Sequence, residues 1–277
     1  MRKTIKKIQD YKKEGKKITA LTAYDYSTAK YIDKFVDLIL VGDSAAQVVL
    51  GLDSTTLVSI EEMLVFTKAV SRGVENALLV ADMPFGSFQV NKEETMKNAL
   101  LFIKSGANAV KLEGGSDLMI DNIKHLTQNS IPVLGHLGFT PMSVNSLSGH
   151  RIQGKDFEKT LNILKEAKKL QEAGCFAIVL ELMPSESSKF ITQNLDIPTI
   201  GIGAGVHCDG QILVSDDLFG KYDRFKPKFA RQYINLKEGM LKAVENYCTD
   251  VETGVFPNSE ESFELDVEEV KKLENYR

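Results

Sequence analysis

Residues 108–115 read Asn-Ala-Val-Lys-Leu-Glu-Gly-Gly, and this stretch decides the fold. Val110 and Leu112 alternate with Lys111 and Glu113. In a β-strand that alternation sends the two apolar side chains to one face and the two charged ones to the other. A parallel strand is usually buried on both faces, so the charged pair enters an enclosed place. Burying charge costs several kcal/mol unless a partner, a metal or a ligand compensates it. Gly114 and Gly115 let the backbone turn directly after the acid. Taken alone, the stretch reads equally as a buried Lys–Glu ion pair with no further role. Repetition of the pattern argues otherwise. Leu38-Ile-Leu-Val-Gly-Asp43, Leu78-Leu-Val-Ala-Asp82 and Ala177-Ile-Val-Leu-Glu181 each run apolar residues into a carboxylate, and Pro132-Val-Leu-Gly-His136 runs into a histidine.

Working outward, strands are predicted at 18–23, 37–41, 77–81, 132–135, 176–180, 197–202 and 211–214, besides the opening stretch within 108–115. Helical patterns separate most of them. Ser59-Ile-Glu-Glu62 has capping-box spacing and opens a helix that Gly73 closes, and Asn91 caps the next, with Glu94 three residues on. Met119, Ile123 and Leu126 share one helical face, as do Phe157, Leu161, Leu164 and Ala167. Strand and helix thus alternate about eight times with no internal linker, which predicts an α/β fold of the closed (β/α)8 TIM-barrel type. A doubly wound open sheet is the second candidate. The whole chain, 1–277, reads as one barrel domain with an N-terminal helix and a helical tail from about 228. That tail is expected to pack on the outside of the barrel or on a neighbouring subunit. The polar segment 140–154, containing Gly149-His150-Arg151, has the length of a lid or binding loop.

Composition limits the function. A chain that is 43% hydrophobic buries a substantial core, and no apolar run approaches the roughly 20 residues that span a bilayer. A net charge of -4 argues against nonspecific nucleic-acid binding. Cys175, Cys208 and Cys248 have neither metal-ligand spacing nor a disulfide framework, which fits a reducing cytosol. The N-terminus lacks an apolar signal core, so a cytoplasmic location is expected. Its lysines (Lys3, Lys6, Lys7, Lys12, Lys13, Lys16, Lys17) read as the solvated face of a helix whose apolar side is Ile5 and Ile8, rather than as a phosphate-binding arm.

In a barrel, strand ends converge on one mouth that holds the chemistry. Asp43, Asp82, Glu113, His136 and Glu181 all stand at predicted strand ends. Converging carboxylates repel unless a cation sits among them, and carboxylate oxygens suit a hard divalent ion such as Mg2+. Lys111 adds a positive charge suited to a substrate carboxylate. A metal, a lysine and a spare carboxylate describe enolisation: polarisation of a carbonyl followed by proton removal.

These motifs resemble the ketopantoate hydroxymethyltransferase family. The resemblance rests on Gly42-Asp-Ser44 followed by Val48-Val-Leu-Gly51, Val80-Ala-Asp-Met-Pro-Phe-Gly86, Ala109-Val-Lys-Leu-Glu-Gly-Gly115 and Gly135-His-Leu-Gly-Phe-Thr-Pro141. It continues through Phe176-Ala-Ile-Val-Leu-Glu181, Ile197-Pro-Thr-Ile-Gly-Ile-Gly-Ala-Gly205, Cys208-Asp-Gly-Gln211 and Phe225-Lys-Pro-Lys-Phe229, spanning about 4–256. It implies transfer of a hydroxymethyl unit from methylenetetrahydrofolate to 3-methyl-2-oxobutanoate, giving 2-dehydropantoate on the route to pantothenate. Asp43 and Asp82 match the family's direct metal ligands and Glu113 its third metal-site acid. Ser44 and Lys111, with Asp43 and Asp82, match the groups that hold the keto acid, and Glu181 matches the general base. The family is typically cytoplasmic, Mg2+-dependent and homo-oligomeric, often decameric.

Two positions depart from the pattern. Ala45-Ala46-Gln47 stands where the family usually has Leu-Gly-Met, and Ser215 stands in a segment where it often has His before Asp. Gly201, Gly203 and Gly205 read either as an anion cradle or as a tight turn. Phe85 and Phe88 read either as pteridine-pocket walls or as packing, and His136 as a substrate contact or part of a polar network. His125 and His207 are expected to be non-catalytic. The main rival is a metal-dependent barrel lyase or mutase of the isocitrate lyase and phosphoenolpyruvate mutase kind, but the loop Cys that chemistry uses is missing here. A metal-binding scaffold without activity would need a mouth lacking a base, which Glu181 contradicts.

Overall fold

The computed structural model describes residues 1–143, 149 and 151–276. Eight parallel strands pair in sequence order and close on themselves, β8 against β1. They are β1 Ile18–Thr22, β2 Leu38–Val41, β3 Leu78–Asp82, β4 Ala109–Glu113, β5 Val133–Gly138, β6 Ala177–Glu181, β7 Thr199–Ile202 and β8 Gly210–Leu213. This is the predicted (β/α)8 barrel, and closure excludes the open doubly wound sheet.

The helices are α1 Ile5–Lys13, α2 Tyr26–Ile32, the short α3 Ala45–Val48, α4 Ile60–Gly73, α5 Lys92–Lys104, α6 Asp117–Gln128, α7 Phe157–Glu172, α8 Ser185–Gln193, the short α9 Ser215–Phe219, α10 Leu236–Thr253 and α11 Val267–Glu274. Local sequence signals account for their starts. Ser59 and Glu62 form the expected capping box at α4. Asn91, Ser116 and Asp156 accept backbone N–H groups at the heads of α5, α6 and α7. α4 ends at Gly73 as expected, with Val74 as its C-cap, and the glycine has a second task. A Cβ there would lie 2.6 Å from the Tyr26 carbonyl oxygen, so the glycine lets α4 and α2 approach closely.

Strand alternation sorts the core into two layers. Outward side chains such as Ile39, Val41, Leu79, Val110, Leu112 and Ile178 pack under the helices. Inward ones, including Ile18, Ala20, Leu38, Leu78, Val80, Leu134 and Ile200, fill the barrel. α1 closes the lower end with Ile8 and Tyr11, both buried in that inner cluster. Lys12 of α1 pairs with Asp209 at 2.9 Å, and Lys3, just before the helix, with Asp37 at 3.6 Å.

One wall lacks cover. Thr19 of β1 and Gln211 of β8 point outward and are exposed, whereas the matching positions of β2, β3 and β4 are fully buried. The helix that follows β8 has five residues, and the longer α10 buries none of its own. The tail therefore does not complete its own barrel. In the segment expected to act as a lid, residues 144–148 and His150 lie outside the described residues.

Candidate active site

The inward positions nearest the C-terminal ends of the strands are polar where the lower ones are apolar. β3 ends on Asp82, β4 carries Lys111 and Glu113, β5 carries His136, and β6 ends on Glu181. Register brings them side by side: Asp82 is opposite Lys111, and Glu113 is opposite His136. Asp43 follows β2 by two residues, and its backbone N–H donates to Asp82 Oδ2 at 3.0 Å. All six line one cavity of about 800 Å3.

The charges are tightly interlocked. Lys111 forms a short ion pair with Asp82 and stands 3.6 Å from Glu113. Glu113 also meets His136 Nδ1 at 3.1 Å and accepts the Met142 N–H at 3.2 Å. On the other side of the ring, His136 Nε2 comes within 3.2 Å of Glu181 Oε2, in an orientation that falls short of a hydrogen bond. Burial alone would lower the His136 pKa, but the Glu113 charge and the two glutamate contacts push it up to about 9. His136 is thus an imidazolium strung between two glutamates. His136 therefore sits in a polar network, one of its two sequence readings, while also lining the cavity.

Burial disfavours the Lys111 ammonium, yet Asp82, Glu113 and Asp43 together raise its pKa. Burial, then Asp82 and Glu113, hold the Asp43 carboxyl well above the ordinary range. Asp82 is raised by burial and Glu113 against the opposing pull of Lys111. Glu113 is lowered, because His136 and Lys111 overcome its desolvation.

Asp43 Oδ2 is buried with no hydrogen-bond partner among the described residues. Four carboxylates (Asp43, Asp82, Glu113, Glu181) face only two cations, Lys111 and His136, so a divalent ion would balance the cluster. The donor set is all oxygen, which suits a hard cation. Among the described residues no three acid, histidine or cysteine side chains already stand at ligand spacing. Two carboxylates are enough for Mg2+, which typically takes one or two from the protein and fills its other positions with water and substrate oxygens. The residues present therefore fit such an ion, at Asp43 and Asp82 first.

Glu181 differs from the other acids in access. Its side chain keeps 16% exposure where those of Asp82 and Glu113 keep 1% and 2%. Leu182, the next residue, has φ +50, a left-handed conformation that costs a non-glycine residue about 1–3 kcal/mol. No sequence signal marks this strain. It sits between two backbone bonds, Leu182 N–H to Ile202 and Gln153 N–H to Leu182, which hold the turn beside Glu181. Sequence reasoning also missed Tyr24, whose hydroxyl lies 2.8 Å from Ser44 Oγ and so positions that serine in the cavity wall. Burial raises the Tyr24 pKa, so the phenol stays protonated.

A family model described as Ketopantoate hydroxymethyltransferase matches residues 2–259. The chain belongs to the ketopantoate hydroxymethyltransferase family. The 3-methyl-2-oxobutanoate hydroxymethyltransferase of Nitrosopumilus maritimus is 46% identical over 274 residues, covering 99% of this chain and 98% of that protein. The Clostridium botulinum protein of the same name is 49% identical over 275 residues, covering 99% and 100%. Among solved structures, phosphonopyruvate hydrolase in complex with oxalate and Mg++ superposes with a TM-score of 0.60 at 12% identity, covering 98% of this chain and 94% of that one. 2,3-Dimethylmalate lyase, a phosphoenolpyruvate mutase/isocitrate lyase superfamily member, gives 0.59 at 14% identity, covering 98% of each. At such identities the likeness is of fold alone, so it does not favour the lyase or mutase reading.

The positions where this hydroxymethyltransferase-family chain departs from its relatives' pattern now have places. Ala45 and Ala46 are fully buried in α3, and Gln47 lines the cavity. Ser215 donates its backbone N–H to Thr22 Oγ1 at 2.9 Å, tying α9 to the end of β1. A Cβ on Gly203 would meet the Phe229 ring at 2.6 Å, and one on Gly205 would overlap Ser185. These two glycines therefore make room for protein neighbours. Phe88 is buried, and Phe85 lines a separate, smaller cavity beside Gly114 and Gly115. The aromatic walls of the main cavity are instead Tyr222, Phe225, Phe229 and Phe139. His125 and His207 are absent from that wall.

Proposed function

We propose that this protein transfers a hydroxymethyl group from methylenetetrahydrofolate to 3-methyl-2-oxobutanoate, forming 2-dehydropantoate for pantothenate synthesis. The observation that carries the reading is the single cavity in which Asp43, Asp82, Lys111 and Glu113 face an accessible Glu181, in a chain of this family. Asp43 and Asp82 would hold a divalent cation, Mg2+ by donor chemistry, with Glu113 as the third acid of the metal site. When bound, that ion would polarise the 2-oxo group and offset the negative charge that develops on its oxygen.

The chain's own residues do the rest. Ser44, held by Tyr24, and Lys111, held by Asp82 and Glu113, bind and orient the keto acid beside Asp43 and Asp82. Glu181 takes the proton from the branched carbon, and the C–H electron pair moves into the new carbon–carbon double bond while charge shifts to the 2-oxo oxygen. His136, 3.2 Å from Glu181, places a positive charge beside its carboxylate. As the branched carbon bonds to the methylene carbon of the folate, the methylene–N10 bond breaks and N10 takes up a proton; water then replaces N5 on that carbon, its oxygen becoming the product hydroxyl and its proton going to N5 as tetrahydrofolate departs. Free cysteines and the lack of any membrane-crossing helix among the described residues support a cytoplasmic location.

The decisive assay supplies 3-methyl-2-oxobutanoate and Mg2+ with and without methylenetetrahydrofolate. Product is expected only with the folate. Turnover of a 2-oxo acid without a second substrate would favour the lyase or mutase reading, and no turnover of any keto acid would favour the inert scaffold.

The chain is also proposed to form a homo-oligomer, with a decamer as the assembly its family implies. Met240, Val244, Tyr247 and Val251 make an apolar stripe along α10, and all are exposed. Tyr247 is braced edge-on against Phe256 at 5.6 Å. A stripe of this kind is buried in a stable protein, and the barrel's own β8–β1 wall has left it free. Val244→Asp with Tyr247→Asp should lower the mass measured by light scattering to that of one chain. An unchanged mass would show that α10 does not join the copies.

A further inference from the structure

A small keto acid beside Asp43 and Lys111 occupies only the inner part of the 800 Å3 cavity. The chain after β8 supplies part of the wall of this cavity. Val214, Asp217, Tyr222, Phe225, Pro227 and Phe229 line it. Phe229 is fixed there because Gly203 leaves space for its ring. Phe225 is 65% exposed although its ring faces the cavity, which leaves an aromatic surface with nothing against it.

Asp217 is the anomaly in this wall. Asp216, its neighbour, is turned to Lys221 at 3.3 Å and to the Ser215 hydroxyl at 3.3 Å. The Asp217 carboxylate has no hydrogen bond or ion pair among the described residues, although it is half-buried. Burial and the adjacent Asp216 push its pKa up to about 6, as befits a carboxylate lacking a donor. A desolvated acid amid aromatic side chains calls for a ligand that is flat, stacks, and offers N–H groups along one edge.

We infer that Asp217 is the specificity residue for the pterin ring of the hydroxymethyl donor, accepting hydrogen bonds from its N3–H and exocyclic 2-amino group while Phe225 and Phe229 contact the ring. The inference rests on the proposed donor being a folate. The two N–H groups lie side by side on the pyrimidine edge and match the two oxygens of a carboxylate, giving charge-assisted bonds. That edge is the one remote from the methylene carbon, so the reacting carbon points inward to the keto acid. A ligand without the amidine edge would cover the half-buried Asp217 and leave it unpaired, and the site would reject it on that account.

The test measures Asp217→Asn and Asp217→Ala against wild type. The Michaelis constant for methylenetetrahydrofolate should rise by roughly 10- to 100-fold, the usual worth of hydrogen bonds to a charged group. The Michaelis constant for the keto acid, and the folate-independent exchange of its branched-carbon proton in D2O, should stay at wild-type values. A second arm compares inhibition by tetrahydrofolate with that by its 2-desamino analogue. Wild type should bind the analogue more weakly by a similar factor, and Asp217→Ala should bind the two equally. An unchanged folate Michaelis constant in both variants, or an analogue preference that survives in Asp217→Ala, overturns the assignment while leaving the proposed reaction standing. If wild type exchanges the proton yet forms no product with the folate, the donor itself is wrong.

Discussion

In D2O with Mg2+ and no folate, wild-type protein is expected to exchange the single proton on the branched carbon of 3-methyl-2-oxobutanoate, and Glu181→Gln to do so roughly 100-fold more slowly or worse. The exchange is read by NMR as collapse of the methyl doublet. Glutamine preserves the shape of the side chain and leaves an oxygen facing His136 Nε2, now at 3.2 Å from Glu181. Metal and keto-acid affinity should therefore change little. The accessibility of Glu181 relative to the buried acids is what singles it out. His136 is the alternative base, but with its pKa pushed up to about 9 it already carries a proton near neutrality. Wild-type exchange in the variant would move the role to His136 or another group and leave Glu181 a later or purely binding part.

The second large effect is expected of Asp82→Asn. Asparagine can still accept the Asp43 N–H, so the turn after β2 keeps its bond. What disappears is the charge that answers Lys111 and, in the proposal, half of the carboxylate pair at the cation. Calorimetric titration with Mg2+ should show most of the affinity gone. Loss of several kcal/mol of charge stabilisation should lower turnover on the order of 1000-fold. Circular dichroism should still report a folded barrel, because Lys111 retains Glu113 at 3.6 Å. Undiminished Mg2+ affinity in this variant would remove Asp82 from the metal site.

Much of this arrangement was legible in the linear chain. The alternation in 109–113 put Lys111 and Glu113 on one face, and the structure places both inside the barrel. Repeated apolar runs ending in acids predicted one mouth, since all parallel strands of a barrel point the same way. Caps such as Ser59 and Asn91 were readable because they act within a few residues. Gly73 was legible as the end of α4, but its close approach to α2 was not, because that contact depends on the backbone of a different helix.

What the sequence by itself determined is the set of elements, their order and the chemical types at the strand ends, because hydrophobic period and caps are local properties. Tertiary structure decided which of those groups touch. His136 bridges Glu113 and Glu181 only because β4, β5 and β6 pair in a particular register. Tyr24 reaches Ser44 because β1 neighbours β2, and Phe229 reaches the mouth because Gly203 admits its ring. The bare β8–β1 wall and the unpacked α10 are likewise invisible in the chain, whose apolar stripe shows that a helix needs a partner but not where one lies. Distances between side chains remote in sequence depend on closure of the whole barrel, and no local pattern encodes that.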